Sequence, residues 1–127
     1  MIFGCGIDFI NISRIKKTIE THDRFLFKIY TENEIAYCNM HNENKFAKFA
    51  SRFAAKEAFL KALKTGYSNG LSFKEIEVLR SKSSDPQIKL YGKTLEFFNR
   101  TCGNANIFLS LSDDSNFAIA NVIIEKF

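Results

Sequence analysis

Phe46-Ala47-Lys48-Phe49-Ala50-Ser51-Arg52-Phe53-Ala54-Ala55-Lys56-Glu57-Ala58-Phe59-Leu60-Lys61-Ala62, residues 46–62, is the stretch on which the reading of this chain turns. Phe46, Ala50, Phe53, Ala54 and Leu60 recur at helical spacing and mark the longest helix, expected to end near Gly66, where a helix C-terminus favours glycine. On the helical wheel Glu57 falls in the middle of that apolar stripe. A charge there needs a partner, because burying a lone carboxylate is costly; a salt bridge, a raised pKa and a metal ion are the three ways out. Lys61, one turn on, offers the first as an ordinary i,i+4 pair.

Upstream, residues 2–10 read as a strand with Phe3, Cys5, Ile7 and Phe9 on one face and Gly4, Gly6 and Asp8 on the other. Ile12, Ile15 and Ile19 then predict an amphipathic helix whose Arg14, Lys16 and Lys17 lie off the apolar stripe. Thr31-Glu32-Asn33-Glu34 has capping-box form and predicts a short helix through about Cys38, followed by a polar loop over residues 39–44. Downstream, strands are expected over 73–79 and around Ile88 and Leu90, one or two helical turns over 94–100, and a terminal hairpin about the turn formers Asp113-Asp114-Ser115-Asn116. The sum is an α+β fold: one small domain, residues 1–127, with a long central helix packed on an antiparallel sheet.

Composition narrows the class. Hydrophobic residues at 46% and charged residues at 25% suit a soluble globular domain, and 127 residues suit one compact unit. A net charge of +4 favours an acidic partner. Cys5, Cys38 and Cys102 are odd in number and widely spaced, which argues against a disulfide framework or zinc site and for a reducing cytoplasm. No apolar run approaches a membrane span, and Asp8 interrupts any signal-peptide core.

Asp8 is the second misplaced carboxylate, on the strand face that Gly4 and Gly6 clear. Capping the next helix or pairing with Arg52 would explain it structurally; a metal would explain it together with Glu57. Two carboxylates and water suffice for magnesium, which keeps several waters and bridges to substrate phosphates. Lys61 and Arg52 are cations on the same helix for those phosphates. Spacing alone leaves these alternatives open and names no reaction.

Four blocks carry a resemblance. Gly4-Cys5-Gly6-Ile7-Asp8 with Arg14-Ile15 resembles the GxGxDxxxxxRI opening of the holo-acyl-carrier-protein synthases, and Phe25 through Thr31 to Glu34 resembles the segment after it. Arg52 to Ala62 matches the RxAAKEAxxKA helix of the same 4'-phosphopantetheinyl transferase family. Thr65-Gly66 with Leu71-Ser72-Phe73 and Glu75-Ile76-Glu77-Val78 resembles TG…LSFxDIEV. Leu109-Ser110-Leu111-Ser112 leading to Ala118, Ala120 and Val122 resembles the SxSH…AxAxV hairpin.

The resemblance implies transfer of the 4'-phosphopantetheine arm of coenzyme A to a serine of apo acyl carrier protein, in support of fatty acid biosynthesis, with release of adenosine 3',5'-bisphosphate. It implies Mg2+ on Asp8 and Glu57, with Lys61 also catalytic and a carboxylate acting through water as the candidate base. Arg52, Lys61, Gly66, Pro86 and Asp113 are expected near the coenzyme. Arg14, Lys17, Arg24 and Lys28 are expected to meet the acidic carrier protein, mainly raising encounter rate. It also implies a homotrimer with active sites at subunit boundaries, no nucleic acid and no membrane.

Two positions depart from the pattern. Asp113 stands where the family has His, and serves either as a further magnesium ligand or as a turn former. Lys64 replaces a glycine before Thr65-Gly66, which bears on how the long helix ends. The rival readings are a carrier-protein binder that has lost catalysis through Asp113, and a small basic nucleic-acid-binding protein without any RNP-like motif to support it.

Overall fold

A computed structural model describes residues 1–66, 70–80 and 85–127. The chain runs β1 (Ile2–Asn11), α1 (Ile12–Thr21), α2 (Phe25–Ile29), α3 (Glu32–Asn39), α4 (Lys45–Ala62), a 3-10 turn (Phe73–Glu75), β2 (Ile76–Leu79), β3 (Gln87–Leu90), α5 (Gly92–Cys102), β4 (Ala105–Asp113) and β5 (Phe117–Lys126). The sheet has the order β1-β5-β4, all antiparallel, and β2 and β3 form a separate antiparallel pair. α4 lies across the inner face of the larger sheet, and one continuous apolar core extends from Ile15 to Ile124.

The glycines of β1 explain how close that packing is. A Cβ on Gly6 would run into the Ala58 carbonyl oxygen and stand 2.7 Å from the Ala62 nitrogen, and one on Gly4 would strike the Ala62 carbonyl. The space beside Asp8 is therefore filled by the backbone of α4. The opposite face of β1 points outward, so Cys5, Ile7 and Phe9 are exposed rather than core. The alternation was read correctly; which face the core would take was not determined by it.

Other differences have local causes. α4 stops at Ala62 because Lys64 takes a left-handed conformation, φ 70°, while the Thr65 and Gly66 amides turn back to the Leu60 carbonyl. α3 starts as its capping box dictates, with Thr31 and Glu34 each accepting from the other's amide. α2 was not expected; it is five residues long and carries no side-chain cap. Residues 73–75 form a 3-10 turn rather than strand, and α5 is longer than the one or two turns anticipated.

α4 is also buried on more sides than one apolar stripe implies. On the side away from the sheet, the fully buried Lys56 ammonium donates to Glu34 Oε1 at 2.8 Å, to the Phe73 carbonyl at 2.9 Å and to the Ile76 carbonyl. Glu34 accepts in addition from the Val78 amide. With every partner supplied, this buried pair ties α3, the 3-10 turn and β2 to α4. Glu77, beside it, accepts from Thr31, Asn33 and Tyr91; burial pushes its carboxyl up, but those hydrogen bonds outweigh it and hold the pKa below its ordinary value.

Candidate functional site

β1 and α4 bring Asp8, Glu57 and Lys61 together. Asp8 sits on the α4-facing side of β1, two residues beyond Gly6, and Lys61 Nζ lies 2.9 Å from its Oδ1 and 2.9 Å from the Ile7 carbonyl. Asp8 Oδ2 is buried and has no hydrogen-bond partner among the described residues. Burial first, and then the negative charge of Asp8, push the Glu57 carboxyl above its ordinary range against the pull of Lys61. Two carboxylates this close, one with an orphaned oxygen, raise the energy of the protein alone and are lowered by a hard cation. The donor set fits magnesium: two carboxylates, with further positions for water and substrate oxygens.

The helix-only reading, in which Lys61 pairs with Glu57, is thus corrected. Lys61 reaches the strand instead, where a carboxylate and a carbonyl both accept from it. Nor does Asp8 cap α1, since Asn11 Oδ1 receives the Arg14 amide at 3.0 Å and does so itself.

A cleft of about 370 Å³ opens beside Glu57, lined by Phe9, Ile10, Asn11, Arg14, Ile15, Thr18, Phe25 and Phe53. Its aromatic wall is made by Phe9, Phe25 and Phe53, the last two with ring centroids 6.0 Å apart. Among the described residues, Arg14 is the one cation lining this cleft. Lys17, Arg24 and Lys28 are exposed on α1 and α2 without lining it. The sequence signalled Phe53 as apolar; Phe25 reaches the cleft only because α2 forms.

Arg52 does not join the site. It lies on another side of α4, fully buried, with its guanidinium 4.3 Å from the Tyr37 ring centroid and one bond to Ser51. It therefore neither pairs with Asp8 nor faces the Asp8–Glu57 cleft. Gly66 is exposed just past the end of α4, with φ 58°. Pro86 precedes β3 in the separate two-stranded sheet.

Asp113 ends β4 opposite Ala118, whereas Asp8 pairs with Ala120 on the other side of β5. With strands about 4.8 Å apart, β5 alone keeps the two roughly 10 Å from each other. Asp113 instead borders a groove with Lys16, Glu43 and Phe46. The structure therefore does not group Asp113 with Asp8 and Glu57, and no cluster of three or more metal-binding side chains is found among the described residues.

A relative from a Geobacter species, named holo-[acyl-carrier-protein] synthase, is 42% identical over 127 residues, 99% of this chain and 100% of its own length. The crystal structure of the holo-ACP synthase from Plasmodium yoelii superposes with a TM-score of 0.85 at 31% identity, covering 100% of this chain and 97% of that one. The holo-(acyl-carrier-protein) synthase from Bacillus anthracis, solved in complex with CoA (3',5'-ADP), gives 0.81 at 34% identity, covering 100% and 99%. The pattern of the 4'-phosphopantetheinyl transferase superfamily matches residues 4–120, and the chain belongs to that family.

Proposed function

We propose that this protein is a holo-acyl-carrier-protein synthase, which moves the 4'-phosphopantetheine arm of coenzyme A onto a serine hydroxyl of an apo acyl carrier protein and releases adenosine 3',5'-bisphosphate. The observation that carries the reading is the Asp8–Glu57–Lys61 cluster, with its orphaned Asp8 oxygen and with Glu57 lining a cleft that bears Arg14. Support for the reaction comes from relatives of that name matched over their full length and from a coenzyme-bound neighbour of the same fold.

In this reading the serine oxygen attacks the phosphorus that bears the pantetheine arm and gives up its proton through a water to the Glu57 carboxylate, while the bond to the adenosine-side phosphate oxygen breaks and its electron pair leaves on adenosine 3',5'-bisphosphate. Asp8 and Glu57 would hold Mg2+, which would supply charge neutralisation for a pyrophosphate. Lys61 donates to a phosphate oxygen and stabilises charge that grows on the leaving group. Arg14 meets an acidic residue of the carrier protein at the cleft mouth, the aromatic wall takes an apolar side chain beside the serine, and Lys17, Arg24 and Lys28 steer the encounter. Gly66 and Pro86 border the coenzyme, and Asp113 meets the coenzyme of a neighbouring subunit. The substrates and the free thiols Cys5, Cys38 and Cys102 suit the cytoplasm, and the holo carrier feeds fatty acid biosynthesis.

Incubation with coenzyme A, magnesium and an apo carrier protein is expected to add one phosphopantetheine group to the carrier, read by mass spectrometry. Carrier binding without that mass gain would leave only the binder reading.

The assembly proposed is a homotrimer. Its support is the outer face of the β1-β5-β4 sheet, where Cys5, Ile123 and Phe108 lie in one row and Phe9 stacks on Phe117 at 4.4 Å. Ile7, Phe9 and Phe108 are each more than half exposed there. A contiguous apolar face of this kind marks an interaction surface. Phe108→Asp, remote from Asp8, is expected to give a folded monomer by sedimentation velocity with transfer activity lowered at least tenfold.

A further inference from the structure

Lys61 is the cation already engaged at the proposed metal pair, and its bonding has consequences for how a metal enters. Its ammonium holds Asp8 Oδ1, the partnered oxygen, and the Ile7 carbonyl, while Oδ2 stays buried and unpartnered. An ammonium carries three donors, so two acceptors leave it one short. The Lys61 side chain is half exposed on a flexible four-carbon stem, whereas the Asp8 side chain is only 14% exposed and fixed on β1. Of the two partners, only Lys61 is free to move.

A divalent cation drawing on Asp8 and Glu57 would stand within a few ångströms of that ammonium, in a partly buried site where like charges repel far more than in water. Glu57 feels the Lys61 charge only at longer range, whereas Asp8 Oδ1 takes the direct ion pair at 2.9 Å, so a metal on the two carboxylates draws on both of the anions that Lys61 faces. We infer, on the basis of the metal assignment above, that Lys61 is a tethered cation which competes with the divalent metal for Asp8 and is handed over to a phosphate oxygen of the coenzyme, so that metal and coenzyme bind cooperatively. Before coenzyme arrives, a metal at Oδ2 would face the ammonium on Oδ1 of the same carboxylate, so its binding is weakened either by that repulsion or by moving Lys61 into water. Once a pyrophosphate is present, the displaced ammonium has a new anionic partner, and each ligand strengthens the other by the same factor.

Lys64 provides the comparison. It lies three residues on, but its ammonium rests 4.6 Å from the Phe3 ring centroid and makes no bond to Asp8. A general loss of positive charge would be felt in either variant. Competition for Asp8 would be felt only at Lys61.

The test is titration of the full-length protein with Mn2+ alone and with coenzyme A present, followed by electron paramagnetic resonance, with thermal unfolding to establish that each variant is folded. Mn2+ takes the same oxygen ligands as magnesium. Lys61→Met and Lys61→Gln are expected to bind Mn2+ about five- to twentyfold more tightly than wild type in the absence of coenzyme. The factor by which coenzyme A tightens Mn2+ binding is expected to shrink by a similar amount, within the range usual for coupled sites. Lys64→Met should stay within about twofold of wild type on both counts. Unchanged or weaker Mn2+ binding in both Lys61 variants, or equal tightening in Lys64→Met, overturns the inference. Asp8→Asn separates the two levels: Mn2+ binding equal to wild type in that variant overturns the metal assignment and the handover with it, whereas its loss, with no tightening in the Lys61 variants, removes the handover alone.

Discussion

Asp8→Asn and Glu57→Gln are each expected to lower phosphopantetheinyl transfer on the order of a thousandfold while leaving the protein as stable as wild type, or more so, in magnesium-free buffer. The first half follows from the proposed role of the pair, since losing a few kcal/mol of charge stabilisation at a pyrophosphate is worth about three powers of ten. The second half distinguishes function from scaffolding. Asp8 has one buried oxygen with no partner, and Glu57 has its carboxyl pushed up by burial and by Asp8. Neutralising Glu57 removes a strain the protein tolerates, and Asp8→Asn relieves the same repulsion in exchange for a half-exposed ion pair with Lys61 that is worth little, the pattern of a site kept for activity at the expense of stability. Initial rates from carrier mass shifts and melting curves from calorimetry check the two halves together. Full activity in either variant would refute the metal assignment, and a large loss of stability would mean that the pair is structural.

The residues on either side of this pair show what a sequence can reveal. Period-two alternation in β1 put Asp8 with Gly4 and Gly6, and the structure keeps them on one face. Alternation cannot say which face is covered, and here the face richer in large apolar residues is the open one, because only glycine lets α4 come so near. Local chemistry was legible where it is self-contained: the Thr31–Glu34 box and the Asp113–Asn116 turn need no distant partner. Lys61 and Lys56 were not legible in this sense. Lys61 had an adequate partner four residues back and took one 53 residues away; Lys56 sits on the α3 side of a helix that was assumed to have a polar back. Arg52 likewise lies on a side of α4 that the wheel did not mark, buried against Tyr37 and apart from Asp8. A helical wheel resolves one buried stripe, and α4 is covered on most of its circumference.

The resemblance supplied what periodicity could not, the pairing of Asp8 with Glu57 across 49 positions of chain. It did not supply the geometry of Asp113. In the same chain it lines one groove with Lys16, Glu43 and Phe46 and another with Phe9 and Phe117, so the part proposed for it in catalysis is one played toward a neighbouring subunit of the proposed trimer. That is a statement about assembly, which is why the exposed sheet face and the hairpin belong to one question.

Gly6→Ala is expected to be the most damaging small substitution in the chain. The added methyl would meet the Ala58 carbonyl oxygen, with the Ala62 nitrogen at 2.7 Å and the Ala58 carbonyl carbon at 2.9 Å. All three are backbone atoms inside α4, so no side chain can turn aside, and β1 must lift off the helix. Overpacking of ordinary cores costs about 1–3 kcal/mol, and a clash of main chain with main chain belongs at or above the top of that range. A loss of about 3 kcal/mol would lower the melting temperature of a chain this size by roughly 10–15 °C. Activity should fall further than stability. Ala58 adjoins Glu57, Ala62 adjoins Lys61, and Asp8 is two residues from Gly6, so the clash lies at the seam that sets the carboxylate pair. Gly66→Ala is the contrasting case, because among the described residues nothing lies within 4 Å of a Cβ there, and its left-handed φ of 58° is the strain to be met, a cost of about 1 kcal/mol. Melting curves for both variants, with transfer measured well below either midpoint, test the argument. A Gly6→Ala protein that melts within about 2 °C of wild type and retains full activity would show that the approach of β1 to α4 is not what holds Asp8 against Glu57.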